Sequence, residues 1–186
     1  MSDPSWPARL IAELDASDAR ASAIARGLTI EQLNWRRDPS EWSVGQCLDH
    51  LRAASEEYIP PIAAALNGRP NAVVQEIIPG WFARWFIRAY IEPSPTTRKA
   101  RAPGKIVPVT RVDATILERF LAVNQTLRAV IERASRLDVN RIRFKNPFVG
   151  VVRFTVGAGF EVLSRHQHRH LLQAERIRSA PEFPRS

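Results

Sequence analysis

Apolar side chains recur every three or four residues in four long stretches of this chain, and that spacing commits it to packed helices. Leu10, Leu14, Ala21, Ile24 and Leu28 form one stripe, and Val44, Leu48, Leu51, Ser55, Tyr58 and Ile62 form a second. Ile116, Phe120, Val123, Leu127, Val130 and Ala134 form a third, and a fourth stretch from near Thr155 to about Arg178 carries Leu163 and Ile177. Side chains at such spacings share one face of an α-helix, whereas a strand alternates with a period of two. Four helices of about 20 to 25 residues with narrow apolar stripes are expected to bury them against one another, as an all-α, up-and-down four-helix bundle.

Local signals set the helix ends. The first helix is expected from Trp6 to Leu28, with Gly27 at its end, and Thr29-Ile30-Glu31-Gln32 opens a short second piece. Thr followed three residues later by Gln is a capping box, and Ser43-Val44-Gly45-Gln46 repeats it at the start of the second long helix. Pro60-Pro61 is expected to bend that helix or end its regular part. Residues 67–109 are punctuated by Pro and Gly and read as an irregular crossover containing a short amphipathic helix, Gly80 to Tyr90. The third long helix is expected over Thr110 to Arg136, a turn-rich link over Asp138 to Gly150, and a frayed tail over 181–186.

The 186 residues fit a single domain, residues 1–186, which can bury roughly 70% of its unfolded surface without disulfide or metal support. One cysteine, Cys47, excludes an internal disulfide and a cysteine-rich zinc module. The formal charge of +8 raises the question of nucleic acid, yet 24 of the 27 basic residues are Arg, dispersed from Arg9 to Arg185, with no helix-turn-helix pattern and no basic helix face. No nucleic-acid partner is expected. No apolar run approaches the roughly 18 residues of a membrane span, and MSDPSWPARL lacks a basic stretch followed by an apolar core. The expectation is a cytoplasmic protein with no membrane partner.

Four histidines carry the one constellation with chemical content. His166 and His170 stand four residues apart, so both project from one face of the last helix, a face shared with Leu163, Gln173 and Ile177. His168 lies about 200° round from either and points elsewhere. His50 flanks the Val44–Leu48–Leu51 stripe. If the second and fourth long helices run parallel, a rise of about 1.5 Å per residue puts His50, His166 and His170 about 10, 16 and 22 Å from their helix starts. Three imidazoles with no carboxylate or thiolate beside them suit zinc or nickel and leave positions open for water or substrate. Two polar residues of a partly exposed helix and a hydrogen-bonded histidine at the core edge fit the same spacing.

The segment from Leu28 to Leu51, with Trp42-Ser43 before the helix and His50-Leu51 within it, resembles the DinB-like (DinB/YfiT) superfamily. So does Gly157 to Gln173, with the pattern His-x3-His-Leu-x-Gln, and the similarity touches Arg101 to Pro108. The resemblance implies a four-helix bundle, often a homodimer, with a divalent metal on His50, His166 and His170. It also implies a small-molecule substrate and a metal-dependent chemistry: S-transfer or isomerisation with a low-molecular-weight thiol as cosubstrate, or hydrolysis. A ligand-binding or stress-response bundle without metal is the rival reading.

No catalytic residue is assigned, and no Ser-His-Asp order, glycine-rich phosphate loop or cysteine pair supports another chemistry. Cys47 reads as an extra ligand, a redox handle or a small core residue, and Gln46 and Gln173 as groups that fix an imidazole tautomer or as helix surface. Glu57 reads as a ligand-orienting group, a general base or part of a solvated face. Trp81, Phe82, Trp85, Phe86 and Tyr90, interleaved with Arg84 and Arg88, read as a lid or dimer flank, a substrate wall or an interfacial helix. Arg98-Lys99-Ala100-Arg101 reads as an anion grip or a solvated loop.

Overall fold

The computed structural model describes residues 4–92 and 102–185. Six helices and one hairpin follow in order: α1 (Ser5–Ala25), α2 (Ile30–Leu33), α3 (Val44–Ala65), α4 (Trp81–Phe86), α5 (Ile116–Ala134), β1 (Arg143–Lys145), β2 (Arg153–Thr155) and α6 (Val156–Arg178). The long helices α1, α3, α5 and α6 are the four expected from the stripes, and they form the all-α bundle. Each of α1 and α3 packs on both α5 and α6, so α1 and α3 face each other across the bundle.

Side-chain pairs fix the directions. Arg9 meets Glu161 and Arg20 meets Glu175, so α1 and α6 run parallel. Gly45 lies against Val112, just before α5, and the Ala63 carbonyl accepts from Arg133, so α3 and α5 also run parallel. His50 touches His166 while Ile62 touches Gly159, so α3 and α6 are antiparallel. The expectation that these two helices run parallel is therefore corrected. The bundle runs up, down, down, up, because the 67–109 crossover carries the chain back along the bundle between α3 and α5.

Both capping boxes form. Thr29 and Gln32 satisfy each other's backbone N–H groups, as do Ser43 and Gln46. Arg26 already turns extended, and Gly27 takes φ +79°, a left-handed conformation that a side chain would strain, which ends α1 before Leu28. The prolines do not end α3, which runs on to Ala65 with Pro60 and Pro61 inside it. Their missing N–H groups release the carbonyls of Glu56 and Glu57, which lie at an exposed and a half-buried position that water can reach.

Three further expectations are revised. α5 starts at Ile116, not Thr110, because the preceding segment spends its backbone hydrogen bonds outside a helix: Asn34 donates to the Val112 carbonyl at 2.9 Å and accepts from its N–H at 2.8 Å. The link after α5 contains a hairpin, pairing Phe144 with Phe154 and burying both rings while Arg143, Lys145 and Arg153 face out. The tail is anchored: Phe183 is buried edge-on to Trp35, with ring centroids 5.4 Å apart, and the Pro184 carbonyl accepts from Gln32 at 3.0 Å.

The short amphipathic helix appears as α4 and a following π-helical turn, Ile87–Ile91. Phe82 and Phe86 pack on Phe154, while Trp81 and Trp85 stay exposed. The Arg98–Arg101 loop lies outside the described residues. No described helix is long and apolar enough to cross a membrane.

The core falls into two apolar clusters along the bundle. Leu163 belongs to one, with Trp6, Ile62 and Phe160, and Leu171 to the other, with Leu48, Leu51 and Phe120. His166 and His170 occupy the stretch of α6 between these leucines.

Candidate metal centre

The face argument for α6 holds: His166 and His170 turn inward, and His168 is exposed beside Arg20. The antiparallel α3 brings His50 to them, so the three rings form a nearly equilateral triangle with centroids 4.8, 4.6 and 4.7 Å apart. One nitrogen from each ring lies within 4.8 Å of the other two. His50 is 2% exposed and His170 9%.

Hydrogen bonds define which nitrogens are bare. His50 Nδ1 lies 2.6 Å from the Ile106 carbonyl, and His170 Nδ1 lies 2.9 Å from Gln173 Oε1. Both oxygens only accept, so both Nδ1 atoms carry the proton and each neutral ring keeps an unprotonated Nε2. His50 Nε2 faces His166 Nε2 at 3.0 Å, a contact satisfied by a proton on one nitrogen or by a cation shared between them.

The rings are neutral at ordinary pH. Burial lowers the pKa of all three, and at His166 the neighbouring His170 and His50 add to the effect. His170 is pushed down to about 3, by burial first and by His50 second. The Arg169 charge lowers each of the three further. Neutral imidazole is the form that binds metal, and an all-nitrogen set suits zinc or nickel. Zn–N bonds near 2.1 Å in a tetrahedron put ligand nitrogens about 3.4 Å apart, within the reach of these three. The residues therefore fit a divalent cation.

Trp42 covers the centre, its ring 4.7 Å from that of His50 and 5.5 Å from that of His170. Beyond His170 opens a cleft of about 550 Å³, walled by Trp35, Trp42, Arg169, Gln173, Arg176 and Ile177 among others. Arg169 Nη1 donates to the Tyr90 carbonyl at 2.6 Å, tying the segment after α4 to α6 beside the histidines.

Of the other candidates, Gln173 takes the orienting role. Gln46 spends its hydrogen bonds elsewhere: it closes its capping box and donates to the Val109 carbonyl at 3.0 Å. Cys47 is a fully buried core residue whose thiol pKa is pushed up by burial. Glu57 pairs with Lys105 at 3.1 Å. The sequence reading missed Arg169, although its place three residues after His166 puts it at the edge of the same face, and the site role of Trp42, which directly precedes a cap. The Ile106 carbonyl has no side-chain signal at all.

No curated protein and no solved structure matches this chain. The family model of the DinB superfamily matches residues 13–174, a span that reaches from α1 through both halves of the histidine site. That match covers most of the chain, which therefore belongs to the DinB superfamily.

Proposed function

We propose that the chain is a divalent-metal-dependent enzyme in which His50, His166 and His170 hold a zinc- or nickel-class cation, and that it transfers or isomerises a small substrate with a low-molecular-weight thiol. The observation that carries this reading is the triangle of neutral imidazoles, His50 and His170 buried and His166 half-buried, in which two Nδ1 protons are already committed to Ile106 and Gln173. When bound, such a cation lowers the pKa of a thiol or water and supplies a nucleophile at neutral pH. Water in that role gives hydrolysis on the same scaffold.

The chain's own part is positioning. Ile106 and Gln173 hold two ring tautomers, Trp42 shields the rings from solvent, and the cleft beside His170 admits the substrate. The family resemblance further supports a homodimer, which light scattering on the purified protein tests.

Elemental analysis of protein purified without added metal tests the centre, and conjugation of a small thiol to an aryl halide, with and without chelator, tests the chemistry. We expect about one equivalent of cation and turnover that the chelator abolishes. No metal and no chelator-sensitive turnover would leave a ligand-binding bundle instead.

A further inference from the structure

Three neutral imidazoles bring no negative charge to a divalent cation, and the nearest charged group on the same flank of α6 is itself positive. Arg169 is half buried, donates to the Tyr90 carbonyl and makes no ion pair among the described residues. Burying a charge without a counter-charge is costly, so the arrangement favours whatever anion enters beside it. Arg176, seven residues on, projects from the same face and also makes no ion pair among the described residues; Gln173 stands between them. Arg37 shares the cleft but pairs with Glu182 at 3.3 Å, and the carboxylate on the described wall is the exposed Glu41.

Trp35, Trp42 and Ile177 contribute apolar side chains to the lining of the same cleft. The row Arg169–Gln173–Arg176 spans about 10 Å of helix at about 1.5 Å per residue, a separation that two long arginine side chains can close to meet one acidic group over Gln173. Guanidinium forks pair with carboxylate or phosphate oxygens two at a time, and indole faces stack on planar bodies. Resting on the metal reading above, we infer that the cleft takes an organic anion, a carboxylate or phosphate ester on a flat apolar body, with Arg169 and Arg176 gripping the charge and the tryptophans the body.

Calorimetric titration of the zinc-loaded chain with 2-naphthoate, 2-naphthyl phosphate and the neutral 2-naphthamide tests this. At least one anion is expected to bind tenfold or more tightly than the amide. Arg176 is exposed, so Arg176→Gln is expected to leave fold and zinc content intact, weaken the anion threefold or more and leave the amide unchanged. Arg169→Gln is expected to weaken the anion tenfold or more, with Arg169→Lys recovering part of the loss. Equal binding of anions and amide, or anion binding indifferent to both glutamine variants, overturns the inference. Zinc content of the same samples judges the metal reading separately: if the chain holds no zinc, the same comparison on the zinc-free protein still decides the anion grip.

Discussion

Replacing Gln173 by Leu removes the acceptor that faces His170 Nδ1 at 2.9 Å while keeping a side chain of similar size on α6. His170 is 9% exposed, so little water can take the acceptor's place. Two outcomes are open to the ring. Its proton stays on Nδ1 without a partner, at a cost of about 1–3 kcal/mol for an unsatisfied buried donor, or it moves to Nε2 and blocks the atom that faces the centre. Either cost falls on the metal-loaded state, because only that state requires a bare Nε2. Zinc affinity is therefore expected to fall about 10–100-fold, the range found when a group behind a histidine ligand is lost. Gln173→Glu restores an acceptor and makes the hydrogen bond charge-assisted, roughly twice as strong as its neutral counterpart, so its affinity should equal or exceed that of the parent. Competition with a chromogenic zinc chelator at fixed pH and salt measures all three proteins, with circular dichroism confirming that each is folded. A Leu variant within twofold of the parent, or Leu and Glu variants weakened alike, would refute the tautomer argument.

Other perturbations separate the remaining elements of the site and fold. His166→Ala should abolish stoichiometric zinc whereas His168→Ala, on the exposed side of the same helix, should keep it; equal loss in elemental analysis of the two proteins would break the face assignment. A methyl group on Gly159 would sit 2.7 Å from Phe144 Cε1 and 3.1 Å from Ile62 Cδ1, so Gly159→Ala should lose about 1–3 kcal/mol in urea unfolding despite alanine's better helix propensity; unchanged stability would refute the close approach of Phe144 to α6. In the metal-free chain the unfolded state takes up the His170 proton near pH 6.5, while the folded state refuses it until about pH 3. The stability this site contributes is thus complete above pH 6.5 and lost as pH falls towards 3, and a urea midpoint that stays flat between pH 7 and 5 would contradict the burial of the His170 ring.

Much of the architecture was legible because it is written locally. Four stripes at helical spacing gave four helices, and the two capping boxes named the starts of α2 and α3 because each cap is made by residues three apart. The early start assigned to α5 had a different cause. Residues 109–113 are compatible with helix, and what keeps them out of one comes from elsewhere: Asn34 on Val112, Asp49 Oδ2 accepting from the Val109 N–H at 3.0 Å, and Gln46 on the Val109 carbonyl. The hairpin escaped for want of length. Its strands of three residues alternate Arg-Phe-Lys and Arg-Phe-Thr, and what makes them strands is the burial of Phe144 beside Tyr58, with centroids 5.7 Å apart, and of Phe154 beneath Phe86. The direction of α6 relative to α3 belongs to the same class, since no spacing within either helix encodes which way its neighbour runs.

The irregular crossover is what completes the histidine site. Because α3 and α5 are parallel, the chain must return along the bundle before α5 can begin, and it arrives beside the first turns of α3, where His50 stands. There Asp49 and Gln46, one and four residues before His50, hold Val109, and the same short segment presents the Ile106 carbonyl to His50 Nδ1. A strictly alternating bundle would have joined α3 to α5 by a short loop at the far end and left that nitrogen to solvent or to another side chain. The tautomer of His50 thus depends on the order of the helices as well as on its own position, and the three-histidine pattern in the sequence is only half of the specification. The other half is a backbone oxygen, delivered by a segment whose own sequence shows little more than prolines, glycines and a few valines.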